Sequence, residues 1–125
     1  MLTLKQRAII DCMTLPQQND NEIQITKEDI RQVLSLGNIS MMDTVKSLEE
    51  LRSKIKSHKK FSGVILLFEI PATQSLLILS EWIETVQNHM VSNASFILGT
   101  KSSNHNIKVH LVCAYTEIYD QKLNL

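Results

Sequence analysis

At 125 residues, 43% of them hydrophobic, the chain can bury one continuous core and is too short for two. Thirteen basic and thirteen acidic side chains cancel, which excludes a global field drawing the chain to nucleic acid or an anionic membrane.

Residues 2–13 place Leu4, Ala8, Ile9, Cys12 and Met13 at spacings of three and four, one face of a helix of about three turns. Pro16 and the polar run 17–21 end it in a loop. Residues 22–25 alternate polar and apolar as a short strand does, and Thr26 opens a helix with Ile30, Val33 and Leu34 inward. Gly37-Asn38 is the expected stop. Asp43 is then read as the cap of a further helix whose stripe is Val45, Leu48, Leu51 and Ile55, with Glu49, Glu50, Arg52 and Lys54 on the wet side.

From Val64 to Ile70 the chain is almost unbroken apolar, a strand covered on both faces and therefore central. Residues 75–91 form the clearest helix, with Leu79, Trp82, Ile83, Val86 and Met90 inward. Its place between two strands predicts a right-handed crossover. The last apolar runs, 94–100 and 107–115, are joined by a loop of hairpin length and are expected to pair antiparallel. The predicted fold is α+β: a two-layer sandwich with a mixed four-stranded sheet, order β-α-α-β-α-β-β, helices largely on one face, preceded by an N-terminal helix. One domain is expected over 1–125, with the helix at 1–13, a core at 22–115 and a tail at 116–125.

Signs of chemistry are sparse. The three glycines, at 37, 63 and 99, cannot share a phosphate-cradling loop, so no nucleotide cofactor is expected. Histidines at 58, 89, 105 and 110 lack the spacing that converges metal ligands, and surface or packing roles are expected for each. Cys12 and Cys113 lie far apart on apolar faces, which suggests reduced, buried thiols in a cytoplasmic protein. A nucleophile would need a base beside it, and the sequence shows none. No apolar run reaches the ~18 residues that span a bilayer, and Lys5 and Arg7 precede any signal-peptide core. The basic cluster 54–60 sits at a helix C-terminus, where cations are favoured by the helix dipole, and reads as a solvated helix end. Trp82 reads as core.

Two stretches carry a family likeness. Asp29-Ile30-Arg31-Gln32-Val33-Leu34-Ser35, followed in register by Met41-Met42, resembles the segment after the synergy loop of FtsZ, the bacterial tubulin-like division protein. Residues 94–100 and 107–113 look like the closing strands of the FtsZ C-terminal domain, and helix 2–13 resembles the end of that family's central helix. In the family, this domain inserts an acidic loop into the nucleotide site of the next subunit. Aligned without gaps, Gln24 falls where the family's loop usually has asparagine, Thr26 at the first aspartate and Asp29 at the second. Asp43-Thr44 and Pro71-Ala72-Thr73-Gln74 replace glycines of the family pattern.

The resemblance implies a C-terminal-domain-like chain without the GTPase domain: a non-catalytic interaction module, with no cofactor or metal, that binds FtsZ or another tubulin-like protein and caps or regulates its polymers in cell division. Gln24, Thr26, Lys27, Asp29 and Arg31 are the contact residues it implies. Asp29 also completes a capping box with Thr26, a role compatible with contact. The competing readings are a diverged, self-associating structural domain, and a chorismate-mutase-like enzyme with intersubunit sites, which would need convergent arginines where the chain has only Arg7, Arg31 and Arg52.

Overall fold

Capping boxes start the first two helices. Thr3 Oγ1 accepts from the Gln6 N–H at 3.1 Å while Gln6 Oε1 accepts from the Thr3 N–H at 3.0 Å, and α1 runs from that cap over Leu4–Met13. Thr26 and Asp29 repeat the arrangement for α2, Lys27–Leu34. The computed structural model describes residues 2–14, 23–35, 38–71, 77–104 and 106–115. The expected loop at 17–21, the Gly37 stop, the turn at 72–74, His105 and the tail 116–125 lie outside the described residues.

Beyond α2 come β1 (Asn38–Val45), α3 (Leu48–Ile55), β2 (Phe61–Pro71), α4 (Leu77–Gln87), β3 (Met90–Ser103) and β4 (Lys108–Tyr115). The strands form one mixed sheet in the order β1-β4-β2-β3. The α+β class, the four-stranded mixed sheet and the N-terminal helix are as the sequence predicts. So is the central position of β2, which pairs parallel with β3 across α4 and antiparallel with β4.

Several details differ. Asp43 does not cap a helix: residues 38–45 are a strand, and α3 starts from Ser47, whose Oγ accepts from the Glu50 N–H at 3.1 Å. Met41 and Val45 enter the core on one side of β1 and Met42 on the other, a period-2 pattern that pairing with β4 selects over the helical stripe. Residues 23–25 are not a strand of the sheet, so the element order is α-α-β-α-β-α-β-β. The two closing strands do not pair with each other, because β2 lies between them. Full burial of β2 explains this: eight successive residues, Phe61 to Phe68, are inaccessible, and only an interior strand achieves that.

The core has two parts, one on each face of the sheet. Leu51 and Ile55 of α3 and Leu79, Trp82 and Val86 of α4 pack on Val64, Leu66, Phe68, Val109 and Leu111. Trp82 meets the Phe68 ring edge-on at 6.3 Å, the core role expected of it. Ile9 and Met13 of α1 and Ile30 and Val33 of α2 cover Ile65, Leu67 and Val112 on the other face. The helices are thus shared two and two between the faces, where the sequence reading gathers them largely on one. Alternation along β2 and β4 is apolar on both sides, which requires cover on both.

Candidate partner-contact site

The segment leading into α2 is fixed by its neighbours before any partner is considered. The Thr100 N–H on β3 donates to the Ile23 carbonyl at 3.0 Å, and the Ile23 N–H donates to Thr100 Oγ1 at 2.9 Å. Ile25, 1% exposed, plugs into the second core cluster. It fits because residue 99 is glycine: a Cβ there would stand 2.5 Å from Ile25 Cγ1 and 2.6 Å from Cδ1. Between these anchors and the helix, Gln24 is half-buried and donates from Nε2 to the Ile25 carbonyl at 2.8 Å.

Thr26 and Asp29 are held by the cap. The Thr26 N–H donates to Asp29 Oδ2 at 2.9 Å, and Thr26 Oγ1 accepts from the Asp29 N–H at 3.1 Å. Lys27 and Arg31 are exposed on the outer side of α2, Arg31 loosely paired with Glu28 at 3.4 Å. The five residues singled out from sequence therefore share one short stretch, Gln24 and Asp29 half-buried and Thr26, Lys27 and Arg31 exposed. Arg7 on α1 and Arg52 on α3 sit on helices covering opposite faces of the sheet, so the arginines do not converge as an anion-binding enzyme site requires.

A second grouping was not legible in the sequence. Cys12 on α1, Glu69 on β2 and His110 on β4 bring one sulfur, one oxygen and one nitrogen within 4.8 Å of one another. Cys12 Sγ lies 3.6 Å from His110 Nε2, and Glu69 Oε2 lies 2.5 Å from the same nitrogen. Thr44 Oγ1 on β1 holds the other ring nitrogen, Nδ1, at 2.7 Å. Burial, reinforced by the Glu69 charge and opposed by Lys101 and Lys108, raises the Cys12 thiol above its ordinary value. Burial alone pushes the Cys113 thiol far up. Spacings of 57 and 41 residues hide the group, since 12, 69 and 110 meet only through the β4-β2 pairing and the seating of α1.

No helix among the described residues is long and apolar enough to cross a membrane. No protein-family model matches the sequence, and no curated protein does. The arrangement is an α+β fold of the kind seen in part of FtsZ. Its fold is FtsZ-like. A tryptophan-to-tyrosine mutant of FtsZ from M. jannaschii superposes with a TM-score of 0.53 at 17% identity, covering 77% of this chain and 33% of that one. An empty FtsZ dimer from M. jannaschii gives 0.55 at 19% identity, covering 74% and 32%. The chain thus spans about a third of the length of the FtsZ chains it matches.

Proposed function

We propose that this chain is a non-catalytic, cytoplasmic protein-interaction module, one FtsZ C-terminal-domain-like unit over 1–125, that docks on FtsZ or another tubulin-like protein and limits its polymers in cell division. The observation that carries the reading is the FtsZ-like fold, in which the stretch from Gln24 to Arg31 is anchored at its base and charged at its surface. A contact segment pre-ordered in this way loses little conformational entropy on docking. Lys27 and Arg31 are the residues on which to test it. Asp29→Ala also removes a helix cap and so confounds contact with stability.

The test is sedimentation and GTP turnover of the host's FtsZ with this protein titrated in. The expected result is reduced pelleting at substoichiometric amounts, weakened by Lys27→Glu with Arg31→Glu at unchanged thermal stability. Unchanged pelleting and turnover at saturating excess overturns the proposal, and a stable symmetric oligomer by light scattering would then identify a self-associating module.

A further inference from the structure

We infer that Cys12, Glu69 and His110 form a zinc-binding site that joins α1 to the sheet. The chemistry of the donor set points there. Thiolate, carboxylate and imidazole are the three protein ligand types of Zn²⁺, and three of them leave a fourth tetrahedral position for water or an incoming donor. One thiolate and one carboxylate also neutralise a dication, so the site would bury no net charge.

The geometry favours a shared ion over the alternative, a nucleophilic thiol. In a thiol-imidazole-carboxylate catalytic group the acid holds one ring nitrogen and the thiol the other. Here Cys12 and Glu69 converge on the same nitrogen, Nε2, so a proton donated to Glu69 leaves no lone pair on Nε2 to accept from the thiol. A metal ion satisfies all three at once. For Zn–S and Zn–N bonds of ordinary length, a tetrahedral angle sets sulfur and nitrogen about 3.5 Å apart. The observed Sγ to Nε2 separation is 3.6 Å. Glu69 needs only to draw back from its hydrogen bond by the small side-chain movement that replaces a proton with an ion.

The surroundings serve the same end. Thr44 Oγ1, 2.7 Å from Nδ1, can accept the ring proton and so keep Nε2 free for metal. Glu69 and His110 stand diagonally on the paired strands β2 and β4, two rigid elements, while Cys12 is half-buried near the end of α1 and open to an entering ion. On binding, the Cys12 thiol gives up its proton to solvent and sulfur bonds the ion, with no change of oxidation state. Lys101 and Lys108, which flank Glu69 on its two neighbouring strands, weaken but do not occupy the site.

The test uses tag-free, chelator-stripped full chain titrated with Co²⁺ and then Zn²⁺. The expected result is one equivalent of cobalt, with a thiolate-to-cobalt charge-transfer band that zinc bleaches. Cys12→Ser abolishes the band, His110→Gln weakens binding at least 10-fold, Thr44→Val weakens it about 10-fold, and Cys113→Ser, whose thiol lies in the opposite core, leaves it unchanged. Should a variant misfold, the natural chain decides: stoichiometric zinc must protect Cys12 from iodoacetamide. Absence of the band at equimolar cobalt, its survival in folded Cys12→Ser, or alkylation at the same rate with and without zinc overturns the site.

Discussion

Two residues show how single side chains set the architecture. Asp43 ties helices from both layers to the edge strand β1. Lys5 of α1 reaches Oδ1 at 3.1 Å, and Lys54 of α3 reaches Oδ2 at 2.5 Å. Burial pushes the Asp43 carboxyl up, but hydrogen bonds from Lys54, the Thr44 N–H and Lys5 outweigh it and hold the group below its ordinary value. The hydrogen bond to Asp43 raises the Lys54 ammonium in turn. The pair therefore adds stability that is present above the unfolded aspartate value and lost as pH falls through the depressed folded one. At the alkaline end it is lost as pH rises through the raised lysine value. Asp43→Asn should cost about 1 kcal/mol at neutral pH and flatten the acid limb of a urea-denaturation profile. An unchanged acid limb would show the clamp to be idle. Gly99 acts by what it lacks. Gly99→Ala should cost ~1–3 kcal/mol in the same denaturation and shift the amide resonances of residues 23–26, because fully buried Ile25 has nowhere to go. A neutral substitution would mean that the segment leading into α2 is loosely seated.

The elements differ in what holds them locally. α2 rests on its cap, so Thr26→Ala should lower stability by about 1 kcal/mol, and faster amide exchange in residues 27–30 should report the fraying. No change in exchange there would mean that packing of Ile30 and Val33 alone holds the helix. This element was legible: the Thr26-to-Asp29 spacing and the period of Ile30, Val33 and Leu34 are local signals, as are the apolar run of β2 and the stripe of α4. β1 was not. Its two adjacent methionines enter the core on opposite faces, and Asp43-Thr44 imitates a helix cap, so a strand that owes its existence to β4 carried the local signature of something else. The stretch from Gln24 to Arg31, proposed as a contact, could be singled out because it is contiguous. Cys12, Glu69 and His110 could not, because three elements must be assembled before they are neighbours.

At the scale of the molecule, α1 and α2 together do for one face of the sheet what α3 and α4 do for the other, and α1 is the one whose loss can be tested. It supplies Ile9 and Met13 to the cover over Ile65, Leu67 and Val112. A chain shortened to begin at residue 22 should expose that apolar surface, bind the dye ANS and lose its sharp thermal transition. Retention of cooperative melting without dye binding would show that α2 suffices as cover. The fold is shared with FtsZ at 17–19% identity, in keeping with cores that tolerate extensive substitution when pattern and total volume are kept.

The strand order β1-β4-β2-β3 also has a consequence in time. Among the described residues β4 follows every other strand in the chain, yet it is the one against which both β1 and β2 must zip. Until residue 115 has emerged from the exit tunnel, β1 has no ladder partner, and the β2-α4-β3 crossover presents one unpaired edge of its most apolar strand. Insertion of β4 between β1 and β2 is thus a pairing step of high contact order, a slow topology by the usual measure, and the apolar edge of β2 stays open until it occurs.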